Sequence, residues 1–314
     1  MKLVASSSGR IDKLIANALP QYSRAALAKL FEQGLVNLDG ITAVKPGHKV
    51  REGAMIEVDT SPLEQELQVV ELPIIYEDDD VVVINKPAGI ISHSRGKFWY
   101  EPSVASFLRW HQMGAEYKKN IKGRIIPNAK HTPSHLKTVS YDLDPSLPLE
   151  SERAGIVHRL DRATSGVMIC AKNDNAMAYL QKQFSNRSVK KTYIAIVEGV
   201  VEPEEAIIDA PIERNPKKPS EYRVGPRGKS SQTHYKVVKN NEKYTLVEFT
   251  PKTGRTHQLR IHSAYIKYPI LGDNLYGTAG ERLYLHAKSL ELKLPDGQLH
   301  KFSAPVPKEF DDVL

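Results

Sequence analysis

Near the amino end, Ile11, Leu14, Ile15 and Ala18 fall at i, i+3, i+4 and i+7, the stripe of a helix that buries one face, and Pro20 closes it. Leu27, Leu30 and Phe31 predict a second helix, with Ser23 as N-cap and Gly34 at C′. The pattern then switches to short alternating runs. "LVNLDGITA" predicts two strands joined by a hairpin turn at Asp39-Gly40, and "AMIEVD" predicts another strand. Two short helices and a small sheet in such a span make a compact module. Residues 61–72, "SPLEQELQVVEL", read as a linker.

Beyond Leu72, β-branched and alternating runs dominate: "VVVINKP", "VKKTYIAIVEGVV", "SQTHYKVV", "YTLVEFT" and "LYLHAKSLELKL", with turns at Asn240-Asn241 and Asp296-Gly297. "NDNAMAYLQKQFSN" interrupts them with Met177, Leu180 and Phe184 at i, i+3 and i+7, which predicts a helix. No regular βαβ alternation occurs, so the expected class is α+β with a mixed, mostly antiparallel β-sheet. Residues 112–152 are charged, rich in Pro and His, and weakly periodic. A structureless stretch of that length is unusual inside a compact domain, so it reads as a mobile basic insertion.

Charge narrows the choice of partner. The chain has 314 residues with 44 Lys+Arg against 37 Asp+Glu, an excess of 7. Lys118, Lys119, Lys122, Arg124, Lys130 and Lys137 occur in a stretch without an acidic residue, and between Pro211 and Lys229 six basic residues face two acidic ones. Clustered cations bind a polyanion by releasing its counterions, which points to nucleic acid. The single cysteine, Cys170, cannot close an intrachain disulfide and suits a reducing compartment. The apolar run Leu3–Ala5 is too short for a signal-peptide core, and no later run suits a membrane span. The expectation is a soluble, cytoplasmic monomer with no membrane partner.

Several chemistries lack their motifs. There is no GxxxxGK[ST] loop, no GxGxxG opening a helix and no GxSxG turn, so no nucleotide cofactor is expected. His131 and His135 are four apart, but Pro133 between them opposes a helical metal pair, and Glu77–Asp80 reads as a solvated turn; no metal is expected. Candidate chemistry concentrates in "GIVHRLDRATSG", where one carboxylate, Asp161, lies between Arg159 and Arg162 with His158 upstream. Neighbouring cations favour the ionised carboxylate, which suits attack or proton abstraction. Composition alone fits a structural ion-pair cluster equally well.

The surrounding motifs separate those alternatives. "HRLDRATSG" resembles the catalytic motif of RluA-type RNA pseudouridine synthases, and "VINKPAG", "KKTYIAIVEG", "SQTHYKVV", "TPKTGRTHQLRIH", "PILGDNLYG" and "LYLHAKSLEL" occur in the family's order across residues 75–305. The N-terminal "YSRAALAKLFEQGLVNLDG" and "KPGHKVREGAMIEVD" are similar to an S4 RNA-binding domain. The resemblance implies a small α/β S4 domain at residues 1–65 and a pseudouridine synthase catalytic domain at 66–314. By motif, Asp161 corresponds to the catalytic aspartate and Arg159 to the arginine that enters RNA where the target base is flipped out. Tyr193 corresponds to the ring that stacks on uracil, Arg255 to the basic residue that pairs with the aspartate, and Leu259 to an apolar position beside the base. Ser23, Arg24 and Lys29 correspond to RNA contacts of the S4 domain. His158 and His257 are expected to orient neighbours by hydrogen bonding. Lys190 and Lys191 read as a solvated strand edge. The implied substrate is large-subunit ribosomal RNA, with transfer RNA as the alternative, and a non-catalytic RNA-binding protein on the same fold is the rival from another class. The chain departs from the family pattern at Ser94 after His93, at Ala154, and in the basic insertion.

Overall fold

The computed structural model describes all residues except 21, 23, 43–44, 62–66, 94–100, 113–122, 126–131, 134–135, 142–153 and 220. The amino-terminal elements are β1 (Lys2–Val4), β2 (Gly9–Arg10), α1 (Ile11–Ala18), α2 (Arg24–Glu32), β3 (Val36–Leu38), β4 (Ile41–Thr42), β5 (Lys49–Val50) and β6 (Met55–Val58). The stripe on α1 buries Ile11 and Ile15 against Leu27, Leu30 and Phe31 of α2 and against Val36, Ile56 and Val58 of the sheet. At the end of α2, Leu35 N–H donates to the Leu30 carbonyl and Gly34 N–H to the Phe31 carbonyl, with Gly34 at φ +70°. That is a Schellman stop, and glycine supplies its left-handed residue. Asp39 and Gly40 both have positive φ, as a type I′ hairpin turn requires.

The rest of the chain forms β7 (Leu67–Val70), β8 (Ile74–Glu77), β9 (Val81–Lys86), α3 (Val104–Gln112), β10 (Gly123–Ile125), β11 (Thr138–Tyr141), β12 (Ser165–Ala171), α4 (Asp174–Ser185), β13 (Lys190–Glu198), β14 (Glu205–Asp209), β15 (Ile212–Arg214), β16 (Tyr222–Val224), β17 (Gln232–Asn240), β18 (Tyr244–Pro251), α5 (Gln258–Tyr265), β19 (Leu285–Lys293) and β20 (Leu299–Ser303). Nine strands make one sheet in the order β14-β17-β18-β13-β19-β12-β9-β8, with β20 also on β19. Only the β12–β19 pairing in it is parallel, so the sheet is mixed and mostly antiparallel, as its alternating runs predict.

Two expectations are corrected here. Leu67–Val70 lies in the proposed linker, and Thr138–Tyr141 in the supposedly structureless insertion, yet they pair as antiparallel strands β7 and β11, with β10 on the far side. The reason is local: Val69, Val70 and Val139 bury their side chains, so these runs gain apolar burial on pairing. Most of the remaining insertion lies outside the described residues.

The centre of the sheet fixes the geometry of the site. All seven residues of β12 are buried. At its start, Gly166 lies opposite Ala287 of β19, and Ala287 lies opposite Tyr193 of β13, so the turn carrying Asp161 enters the sheet on the same row as Tyr193. A Cβ on Gly166 would fall 2.2 Å from the Ala287 carbonyl oxygen, and its φ is +119°; both demand glycine. The β13 register shifts between Thr192 and Tyr193, the kind of bulge that re-aims side chains beside active sites.

Candidate active site

The turn before β12 buries Leu160 and Thr164 and is clamped by the end of β9 and the segment after it. Ser92 Oγ donates to the Leu160 carbonyl at 2.8 Å and accepts from Leu160 N–H at 3.1 Å. Gly89 N–H donates to the Arg162 carbonyl at 2.8 Å. Lys86, fully buried, donates from Nζ to the carbonyls of Pro87, Ile90 and Arg162 at 2.9, 2.8 and 3.3 Å. Burial pushes its ammonium down to about 7, while three carbonyls engage the three N–H groups it carries as a cation. The residues on both sides of Asp161 are therefore fixed.

The Asp161 carboxylate opens onto a cleft whose lining includes Arg159, Tyr193, Arg255 and Leu259. Five residues from three motifs thus meet in one place. Arg159 is exposed, as a side chain free to enter RNA would be. Tyr193 is half-buried, and burial together with the Asp161 charge pushes its phenol up, so the hydroxyl stays protonated at neutral pH. Leu259, 6% exposed, puts an apolar surface on the wall.

The cations around Asp161 are not those the sequence places beside it. Arg162 turns away and forms a two-pronged ion pair with Glu101. Arg255, expected to pair with Asp161, sends Nε to the Ser230 carbonyl at 3.2 Å instead. The guanidinium near Asp161 is that of Arg260, with Nη1 3.8 Å from Oδ2. His257 accounts for the exchange: it adopts φ +55° as N-cap of α5, and the helix that follows carries Arg260 into the cleft while Arg255 stays before the bend. Arg260 is in turn held by fully buried Asp273, through Nε at 2.8 Å and Nη2 at 2.5 Å. Burial would raise the Asp273 carboxyl, but hydrogen bonds and charge from Arg260 outweigh it and hold the group below its ordinary range.

The histidines orient rather than titrate. His158 stacks on Phe184 and accepts the Ile169 N–H at Nε2, and burial lowers it to about 3, so it is neutral. His257 bonds the Tyr276 hydroxyl through Nδ1 at 2.9 Å, with Nε2 3.9 Å from Asp161. Burial lowers its pKa too.

In the amino-terminal module, Arg24 is exposed at the start of α2 and paired with Asp12 at 2.7 Å. Ser23 lies outside the described residues, as does the side chain of Lys29. Arg260, Asp273, Lys86 and Ser92 were not singled out from the sequence. Arg260 sits in the same "GRTHQLR" run as Arg255, and only the bend at His257 distinguishes them.

A carboxylate, a tyrosine and an arginine thus share a cleft on the large sheet, in a chain that also carries a small amino-terminal module with its own core. The S4 domain model matches residues 9–56, and the RNA pseudouridylate synthase model matches residues 80–265. A ribosomal large subunit pseudouridine synthase D of Haemophilus ducreyi is 32% identical, over 97% of this chain and 90% of its own length. An uncharacterized RNA pseudouridine synthase of Aquifex aeolicus is 36% identical, over 87% and 78%. The solved structure of human RNA Pseudouridylate Synthase Domain Containing 1 shares the fold, with a TM-score of 0.54 at 24% identity over 75% of this chain and 83% of that one. The chain belongs to the RNA pseudouridylate synthase family and is an RNA pseudouridine synthase, an isomerase.

Proposed function

We propose that this enzyme converts specific uridines of large-subunit ribosomal RNA to pseudouridine, with Asp161 as the reacting group, and that it works as a cytoplasmic monomer without a metal ion. Support for the ribosomal substrate comes from relatives in Haemophilus ducreyi and Pasteurella multocida that are named large-subunit synthases and align over 97% of this chain. The proposed domains are 1–65, which tethers RNA, and 66–314, which isomerises.

The reaction breaks the C1′–N1 bond, turns the uracil and forms a C1′–C5 bond; N1 gains a proton and C5 loses one, so the atoms balance without an external donor. The target nucleotide must leave its stack first, at a cost of a few kcal/mol. Arg159, exposed at the cleft, fills the vacated space. Tyr193 offers a flat surface on which the detached uracil can turn without escaping. The sugar develops positive charge as N1 leaves, and an ionised Asp161 stabilises it, either by adding to C1′ or by taking a ribose proton. One observation carries this assignment: Asp273 takes the short bonds of Arg260, so that among the described residues the Asp161 oxygens have no ion pair closer than 3.8 Å and are open to substrate.

In Asp161→Asn the amide keeps the shape and loses the charge. Turnover should fall by about 10³-fold or more while RNA affinity stays within about threefold. Tritium release from [5-³H]uridine-labelled RNA measures the first and filter binding the second. Near-normal tritium release would remove Asp161 from the chemistry. Mass spectrometry of the product distinguishes isomerisation, which conserves mass, from hydrolytic base loss.

A further inference from the structure

Lys190 and Lys191 are neighbours on β13, so their side chains point to opposite faces of the sheet. On the face away from the cleft, lysines meet carboxylates: Lys190 lies opposite Glu291, and Lys288 pairs with Glu248 at 3.3 Å. Lys191 faces the cleft, where it lines the same wall as Asp161 and Tyr193. It is half-buried, and its Nζ donates to the Thr253 carbonyl at 3.2 Å. No carboxylate lies within 4.0 Å of it among the described residues. An ammonium carries three N–H donors, so this one has two to spare. Burial, with Arg187 nearby, lowers its pKa to about 8. A partly desolvated cation without a counter-ion is unfavourable until an anion enters the cleft.

We propose that Lys191 binds a backbone phosphate of the target nucleotide and so positions it in the cleft. Lys191 and Tyr193 share a strand face about 7 Å apart, so a base against the Tyr193 ring leaves its own phosphate within reach of the lysine. A phosphate contact fixes position and carries no sequence information. This inference rests on the cleft being the uridine site.

The test uses the full-length enzyme and a large-subunit ribosomal RNA transcript labelled with [5-³H]uridine, comparing Lys191→Met, Lys191→Arg and, as a control on the other face, Lys190→Met. Lys191→Met should raise KM and the filter-binding Kd about tenfold, leave kcat within about twofold, and reduce the slope of log Kd against log salt by about one. Lys191→Arg should keep the wild-type slope, and Lys190→Met should match wild type in kcat, KM and Kd. Wild-type kcat/KM should also fall as pH rises through about 8, where the ammonium loses its proton, and Lys191→Arg should lack that fall. Lys86, at about 7, titrates close by but is common to both enzymes, so the component that Lys191→Arg lacks is the one assigned to Lys191; His158 and His257 are neutral there and Tyr193 keeps its proton.

A Lys191→Met enzyme with unchanged Kd and salt slope would overturn the proposal, and a loss confined to kcat would put the ammonium on the uracil instead. If Lys191→Met unfolds, the wild-type and Lys191→Arg pH profiles still decide, and coincident profiles would overturn it. A wild-type enzyme that releases no tritium would defeat the uridine assignment, while the salt slopes would still report on the phosphate.

Discussion

Asp12 in the amino-terminal module binds its two arginines directly, Arg10 at 3.0 Å and Arg24 at 2.7 Å, whereas Asp161 in the cleft approaches Arg260 only at 3.8 Å. The arginine in the cleft has a better partner in Asp273; among the described residues those in the module pair with Asp12. The outcomes differ accordingly. Asp12 is held at about 2, chiefly by its hydrogen bonds to Arg10, and is committed to structure. Asp161 feels a guanidinium without being occupied by it. A second, buried carboxylate is what leaves a first one available for chemistry.

Removing that second carboxylate should have the largest effect. Asp273→Asn leaves the buried Arg260 charge unpaired, and breaking a buried pair from one side costs about 3–5 kcal/mol. The thermal unfolding midpoint should drop accordingly. In the fraction that remains folded, Arg260 is free to close on Asp161, and kcat should fall more than KM rises. If kcat stayed near wild type after correction for folded protein, Asp273 would be a stabilising group only, and the contrast with Asp12 would lose its functional meaning.

This arrangement explains what the sequence could and could not disclose. The strands of the large sheet are legible because Tyr244–Pro251, for example, alternates half-buried and buried residues along its whole length. Helix α5 is not legible: Gln258, Leu259, Arg260, Ile261, His262 and Ser263 are all buried, so it has no polar face to contrast with an apolar one. Three of its polar side chains are bonded from afar, Gln258 by Gln232 and Thr233, His262 by Thr233 and Ala210, Arg260 by Asp273, while the buried Ser263 hydroxyl has no partner among the described residues. Asp161, Tyr193 and Leu259 could be singled out by motif because each belongs to an ordered set. The partner of Asp161 could not, since Arg255 and Arg260 share one motif and the choice depends on the backbone at His257. Lys191 looked like a strand-edge charge, and only the register of β13 turns it inward.

The two acids also differ in how their backbones are held. Asp12 lies in the first turn of α1, where the helix itself fixes it; Asp161 lies in a turn that depends on Ser92, Gly89 and Lys86. Ser92→Ala should therefore have an intermediate effect. It leaves the Leu160 N–H and carbonyl without their buried partner, a loss of about 1–3 kcal/mol. Because Leu160 precedes Asp161, kcat should fall severalfold with Kd for RNA unchanged. A stability loss with wild-type kcat would show that the remaining contacts from Gly89 and Lys86 suffice to hold the turn.

The smallest effect is expected at Asp12, and its sign is the informative part. Arg24 is 60% exposed on the side chain, so its pairing contributes only about 0–1 kcal/mol, and Asp12→Asn should change stability little near neutral pH. The folded carboxyl titrates below its unfolded value, so its contribution is present above about pH 4 and disappears as pH falls towards 2; the small stability difference between variant and wild type should vanish over that interval. RNA binding should move the other way. With Asp12 neutral, Arg10 and Arg24 are released to contact phosphate, so affinity should rise about two- to threefold at low salt and return to wild type near 1 M salt, where the Debye length is about 3 Å. If Asp12→Asn weakens binding instead, the carboxylate is needed to aim Arg24 at RNA, and the module's cluster positions a functional side chain just as Asp273 does in the cleft.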